Sequence, residues 1–186
     1  KDISLVWDTP YSWEVLNTWN VNFTWHNTWN GDYSRVSRYI VQVYSGWQIY
    51  STGKVMGYNN TWWTKNLPDG EYEWSVIAFD KVGNESESSE LIPFAIDTTV
   101  PVCEVIVPKW CFTGNVPVIL SWSSDIVQYN WNYQWWNDWN WNIDLEVWAW
   151  NYNMSVMDQA GNQSDCKWYV GEQLIDVAWP IFTWLT

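Results

Sequence analysis

The sequence predicts an all-β protein made of two β sandwiches in tandem, and three observations lead to this fold class. The segment Tyr72–Asn84 (YEWSVIAFDKVGN) recurs 78 residues later as Trp150–Asn162 (WNYNMSVMDQAGN). Bulky or apolar residues occupy every second position of both segments, which is the period of a half-buried strand. A second pair, Asp97–Pro101 and Asp176–Pro180, repeats at nearly the same spacing, which indicates a duplicated unit.

The Asp-to-Pro segments also suggest where the chain divides, because proline has no amide to donate to a β ladder. We therefore expect one sandwich in residues 1–99 and a second in residues 100–177, joined by a short linker. Residues 178–186 would be the start of a truncated third repeat or a tail. Units of this size suit small sandwiches.

In the first unit, runs of β-branched and aromatic residues predict strands, and Pro, Gly, Asn and Asp mark the turns between them. The predicted strands are Ile3–Val6, Val21–Trp25, Arg38–Tyr44, Thr61–Thr64, Glu71–Asp80 and Leu91–Ile96. The LPDG segment at 67–70 predicts a tight turn before the long strand. The acidic, serine-rich segment 85–90 is interpreted as a solvated turn.

The repeated hairpin turn has a defined chemistry. An aspartate can accept bonds from backbone amides two residues on, and glycine tolerates positive φ. The turn residues singled out in the two units are Asp80, Gly83, Asn84, Asp158, Gly161 and Asn162.

Four segments of the first unit, NFTW, RYIVQV, NLPDGEYEWSVIAFDKVGNES and PFAIDTTVP, occur in an order that resembles a known family. They look like the fibronectin type III-like or immunoglobulin-like repeats found in tandem in bacterial and archaeal surface proteins. The resemblance implies that Tyr72 is a corner residue whose hydroxyl bonds nearby backbone. It also implies that Trp25 and Trp74 are core aromatics on facing strands.

The second unit is similar to bacterial Ig-like repeats that begin after a DTTxP linker. The matching strands are Cys103–Val107, Val116–Trp122, Tyr152–Asp158 and Cys166–Val170, with Trp122 and Tyr152 as core positions. The middle of the unit shows no readable pattern. Trp150 stands where the alignment requires the corner tyrosine, so that corner is not expected here.

Cysteine usage follows from this resemblance, because the first and last strands of an Ig-like sandwich can lie side by side. Cys103 and Cys166 could then form a disulfide, which would stabilise by about 3 to 4 kcal/mol in the chain-entropy model and imply an oxidising compartment. The alternative is three reduced, buried thiols. No role is assigned to Cys111, and no cysteine or histidine spacing supports zinc.

Metal binding and glycosylation remain open at several positions. Asp80, Asp97, Asp158 and Asp176 could supply oxygen ligands for calcium, although an aspartate at a turn usually caps its own backbone. N-glycosylation sequons occur at Asn22, Asn59, Asn84, Asn153 and Asn162. Two lie in predicted strands and two belong to the turn motif, so Asn59 is the preferred candidate.

Composition excludes several function classes. The net charge is −13, with six basic and twelve acidic residues in 1–99 and two basic and nine acidic in 100–186. Nucleic acid and anionic membranes are not expected as partners, and no apolar run is long enough to insert in a bilayer. His26, the single histidine, follows a predicted strand and is interpreted as a loop residue. Neither a glycine-rich phosphate loop nor a nucleophile motif is present.

The chain contains 21 tryptophans, seven of them in Trp131–Trp150. One interpretation is an aromatic surface that stacks on sugars or on a neighbouring subunit. The other, which we favour, is that some of these letters do not record encoded tryptophans, so that the motif positions carry the prediction.

These observations predict a non-enzymatic extracellular module that acts as a spacer or as part of a surface, sheath or filament protein. Its expected partners are neighbouring repeats, further copies of the chain or surface glycans. One alternative is a carbohydrate-binding or adhesin module that uses exposed tryptophans, for example as an accessory to a secreted hydrolase. Another is a virus tail decoration domain.

Overall fold

The computed structural model describes residues 5–27, 36–107, 116–122, 126–131, 134–137, 142–147 and 151–169. All regular structure in these residues is β. The chain separates into two compact units, Lys1–Thr98 and Thr99–Thr186, and each is described by itself. The predicted third repeat, residues 178–186, lies outside the described residues.

In its described residues, the first unit consists of two sheets. Its strands are β1 (Leu5–Thr9), β2 (Glu14–Leu16), β3 (Asn20–Asn27), β4 (Val36–Ser45), β5 (Gln48–Met56), β6 (Trp62–Asn66), β7 (Gly70–Asp80) and β8 (Ile92–Ile96). One sheet has the order β1-β3-β6 and the other the order β2-β8-β7-β4-β5. All neighbours are antiparallel except β2 and β8, which are parallel.

The core of this unit lies between the two sheets. On β7 the buried side chains at alternate positions are Tyr72, Trp74, Val76 and Ala78. Phe23 of the facing sheet contacts Trp74 edge-on at 5.2 Å between ring centroids. Trp25 and Trp74 are both almost fully buried, and burial of each large apolar side chain contributes about 2–3 kcal/mol.

At one edge of this core, the indole ring of a tryptophan packs directly against a glycine. Trp63 of β6 stacks on Phe23 with 5.3 Å between ring centroids. A Cβ added to Gly53 of β5 would overlap the Trp63 indole. Gly53 is therefore required where the two sheets approach each other, a role that the sequence did not reveal.

The segment after the first hairpin turn differs from its prediction as a solvated turn. Ser86 donates its amide to the carbonyl of Ala78 at 2.9 Å, and its hydroxyl accepts the amide of Ala78 at 3.0 Å. Ser89 repeats this pair of bonds on Val76, at 3.0 Å each. The segment thus completes the edge of β7 beyond the end of β8, because the serine hydroxyls take the place of backbone carbonyls.

The second unit also carries two sheets in its described part. The strands are β9 (Cys103–Ile106), β10 (Val116–Trp122), β11 (Ile126–Trp131), β12 (Gln134–Asn137), β13 (Asn142–Val147), β14 (Asn151–Asp158) and β15 (Gln163–Tyr169). Their orders are β13-β10-β9 and β12-β11-β14-β15. Trp122 is paired with Cys103 in the β10–β9 ladder, and Tyr152 with Trp168 in the β14–β15 ladder.

A disulfide joins the two sheets of the second unit. Cys103 lies on the edge strand β9 and Cys166 on the edge strand β15, with 5.7 Å between their Cα atoms. Cys166 is buried beside the buried side chains of Met154 and Trp168 on the same hairpin. Cys111 lies outside the described residues.

Five strands and the position of His26 also differ from expectation. β2 and β5 were not predicted, because β2 has only three residues and β5 contains glycine at its centre. The strands β11, β12 and β13 occupy the middle of the second unit, where the sequence shows no readable pattern. His26 lies inside β3, opposite Val6, and is not a loop residue.

Candidate functional site: the connector and the turns that hold it

The first hairpin turn is built around the Asp80 carboxylate. Oδ1 accepts the amides of Val82 and Asn84, each at 2.9 Å, and Oδ2 accepts the Asn84 side-chain amide at 2.8 Å. Gly83 has φ +96°, a conformation that side chains with a Cβ rarely adopt. The Asn84 side-chain bond, helped by the backbone amides, lowers the pKa of Asp80 below its ordinary value of 3.8.

The second hairpin turn repeats this geometry. Asp158 Oδ1 accepts the amide of Asn162 at 2.8 Å, and Oδ2 accepts the Asn162 side-chain amide at 2.9 Å. Gly161 has φ +87°. In contrast to Asp80, Asp158 is buried, with 1% of its surface exposed.

In the second unit this turn also holds the beginning of the unit. The Asn162 side-chain amide donates to the carbonyl of Thr99 at 3.3 Å. Ser164 donates its hydroxyl to the carbonyl of Pro101 at 2.6 Å. The repeated motif therefore fixes two main-chain carbonyls at the start of the second unit.

In the first unit, Asp69 of the LPDG turn holds the last residue of the unit, Thr98. The amide of Thr98 donates to Asp69 Oδ2 at 3.1 Å, and the Thr98 hydroxyl donates to Oδ1 at 2.9 Å. The Trp19 indole N–H lies 3.0 Å from the same Oδ1 and 2.8 Å from the Thr98 hydroxyl. One residue earlier, the Asp97 amide donates to the carbonyl of Leu16 at 2.9 Å.

We call residues 97–101 the connector. Each unit thus binds its own part of the connector through main-chain groups, and the side chain of Val100, between Thr99 and Pro101, is exposed. Because each bond fixes a peptide group, the arrangement restricts backbone rotation at these residues. Sequence reasoning missed Asp69 and Trp19, since an LPDG motif signals a turn and not the segment that the aspartate reaches.

The corner tyrosine lies next to this clamp. The Tyr72 hydroxyl donates to the carbonyl of Pro68 at 3.0 Å, which ties β7 to the LPDG turn. Burial, together with the neighbouring Tyr50 and Asp69, raises the pKa of Tyr72 above 10.0. The hydroxyl therefore remains a donor throughout the physiological pH range.

The calcium candidates are not brought together. Asp80 and Asp158 each use both carboxylate oxygens within their own turn, and Asp176 lies outside the described residues. Within those residues, no group of three or more His, Cys, Asp or Glu side chains, Asp97 included, is placed to hold a metal ion. His26 pairs with Asp8 at 2.7 Å on an exposed surface.

The described tryptophans differ in burial, and Trp7 and Trp63 are partly buried against the core of the first unit. Trp25, Trp74 and Trp168 are buried, whereas others are exposed on the first unit: Trp13, Trp19, Trp47 and Trp62. Trp13 is 79% exposed and has φ +65°, an unusual conformation for a bulky residue. An open groove of about 430 Å³ is lined by Trp19, Asn66, Leu67, Pro68 and Asp69. The described residues contain no helix long and apolar enough to cross a membrane.

Comparison with known proteins supports the fold. Residues 16–98 match the model of the bacterial Ig-like domain family, which confirms the resemblance seen in the sequence of the first unit. The fibronectin(III)-like modules of Clostridium thermocellum CbhA superimpose with a TM-score of 0.50 and 16% identity, over 90% of this chain and 94% of theirs. The chicken CNTN1 FN1-FN3 domains give a TM-score of 0.46 and 14% identity, over 91% of this chain and 66% of theirs. No curated protein matches the sequence.

Proposed function

We propose that this chain is a non-catalytic structural module, in which two β sandwiches in series act as a stiff spacer within a longer surface, sheath or filament protein. The observation that carries the proposal is the set of bonds to connector main-chain groups at Thr98, Thr99 and Pro101. The bacterial Ig-like match of residues 16–98 agrees with such a role.

The physical argument concerns backbone freedom. A flexible linker needs several residues whose φ and ψ can rotate without loss of contacts. Here a carboxylate, a side-chain amide and a hydroxyl bind three of the four residues from Thr98 to Pro101, and Pro101 has a fixed φ. Each of these bonds lies within one unit, so each unit holds its own end of the connector in place.

One further feature supports an extracellular location, and a second supports solubility. The disulfide between Cys103 and Cys166 would form and persist in an oxidising environment. The net charge of −13 would keep exposed faces soluble and discourage unspecific association. The neighbouring units of the same protein are the proposed partners.

The test is the distribution of distances between spin labels placed on the two units. Labels at Thr52→Cys and Asn153→Cys, in a Cys111→Ser background, should give a narrow distribution. Asp69→Ala together with Ser164→Ala should broaden it, because both removed side chains bind the connector. The matched control is Glu87→Ala, an exposed charge outside the connector. A native distribution as broad as that of the double variant would refute the spacer.

A second candidate, a carbohydrate-binding or adhesin module, is favoured by the exposed tryptophans of the first unit. The groove beside Trp19 offers an aromatic face with Asn66 and Asp69 at its edge, a combination of apolar and polar groups that suits a small ligand. Titration with oligosaccharides should quench tryptophan fluorescence, and Trp19→Ala should abolish the effect whereas Trp47→Ala should not. If no surface polysaccharide quenches the fluorescence, the binding function is refuted and only the spacer proposal remains.

A further inference from the structure

Beyond the spacer role, we propose that Asn59 is an N-glycosylation site. Asn59 begins the sequon Asn59-Asn60-Thr61 and lies in the turn between β5 and β6. Its side chain is exposed.

The structure distinguishes this sequon from the other four. The side-chain nitrogens of Asn84 and Asn162 donate to Asp80 and Asp158 within the hairpin turns. Asn22 and Asn153 are exposed, but their backbones lie in antiparallel ladders, opposite Thr64 and Lys167 respectively. A transferase must reach the side chain and reshape the local backbone, which a turn permits more easily than a ladder.

The residues around Asn59 hold the turn without using Asn59 itself. The Tyr39 hydroxyl donates to the carbonyl of Tyr58 at 3.1 Å. The Asn60 side chain donates to the carbonyl of Met56, and the amide of Trp25 donates to the carbonyl of Thr61 at 3.1 Å. The turn therefore presents Asn59 on a fixed base, and modification of its side chain would break none of these bonds.

The modification is a group transfer. The side-chain nitrogen of Asn59 attacks C1 of a sugar carried by a diphosphate-linked donor, forming a C–N bond while the C–O bond to the phosphate breaks. The donor leaves as a diphosphate, and the amide proton passes to a base of the transferase. The hydroxyl of Thr61 is the part of the sequon that such enzymes require.

Peptide mass spectrometry on the protein purified from its native cells tests the site. The peptide containing Asn59 should carry a sugar mass, and enzymatic release should convert Asn59 to Asp. Asn59→Gln and Thr61→Ala should lose this mass, whereas Thr61→Ser should keep it. Finding the Asn59 peptide only unmodified, or sugar only at Asn22 or Asn153, overturns the site and leaves the spacer proposal untouched.

Discussion

The two hairpin turns have the same geometry, but the chain returns from them in different ways. In the first unit, Ser86 pairs with Ala78 and Ser89 with Val76, so three residues return opposite two of β7. In the second unit, Ser164 pairs with Val156 and Cys166 with Met154, two opposite two. An extra residue displaces the backbone acceptor, and a serine hydroxyl replaces it; without the extra residue, the ladder continues regularly.

This difference changes how each unit is stabilised. The regular return of β15 places Cys166 beside Cys103, where the disulfide joins the two sheets. The irregular return of the first unit has no such link, and that unit relies on one continuous hydrophobic core that spans both sheets. The same turn motif therefore occurs in a unit whose sheets are joined by a disulfide and in a unit whose sheets are held by a hydrophobic core.

The largest effect should come from breaking the disulfide. Cys103→Ser with Cys166→Ser should destabilise the second unit by about 4 kcal/mol, because the bond closes a long loop in the unfolded chain. Denaturant unfolding followed separately in each unit measures this loss. A matching loss in the first unit would show that the two units do not unfold independently.

The buried turn should be more sensitive than the exposed one. Asp158→Ala should cost about 3 kcal/mol, because it removes a buried carboxylate that accepts two bonds from the partly buried Asn162. Asp80→Ala should cost clearly less, since water can reach the same groups in the first unit. Equal losses in the two unfolding transitions would contradict the assigned difference in burial.

The close approach at Gly53 tests the dependence of the first unit on packing. Gly53→Ala should destabilise it by about 1–3 kcal/mol, because the added methyl group displaces the Trp63 indole. Gly46→Ala is a control for backbone strain, since Gly46 has φ +60° with open space around it. Gly53→Ala together with Trp63→Leu should recover part of the loss, and no recovery would argue against the contact.

The serine bonds should each contribute about 1 kcal/mol. Ser86→Ala and Ser89→Ala should remove the acceptors of the Ala78 and Val76 amides, and hydrogen exchange at these amides should become faster. Ser88→Ala is the control, since its hydroxyl donates to the neighbouring carbonyl of Ser89 and not to β7. Unchanged exchange in both serine variants would show that the backbone bonds alone protect β7.

The smallest effect is the pH dependence of the first turn. Since the pKa of Asp80 is lower in the folded than in the unfolded chain, its stabilising contribution is present above pH 3.8 and is lost as the pH falls through the folded pKa. NMR titration should show that Asn84→Ala raises this pKa toward 3.8. If the pKa of Asp80 is the same in Asn84→Ala as in the unchanged protein, the shift has another source.

Much of the fold could be predicted from local sequence. The alternation in Tyr72–Asn84 predicted β7 and its buried face, and the Asp and Gly spacing predicted both turns. β2 and β5 could not be predicted in this way, because β2 has only three residues and β5 is interrupted by a glycine. The second unit's middle strands carry no period that distinguishes a buried from an exposed face.

The candidate site was predictable only in part. The connector is visible as DTTVP, and Asn162 as part of a turn motif. That Asp69 binds Thr98, 29 residues away, depends on the LPDG turn lying beside the end of β8. No local pattern records such a long-range contact.

By itself, the sequence determined the all-β class, the turns and the alternating core, because side-chain period and backbone preference act over a few neighbouring residues. The tertiary structure alone decided which serines complete β7, which glycine admits an indole and which aspartate holds the connector. These interactions join residues far apart in the chain, and their strength depends on distances of a few ångströms that are fixed only when the sheets have packed.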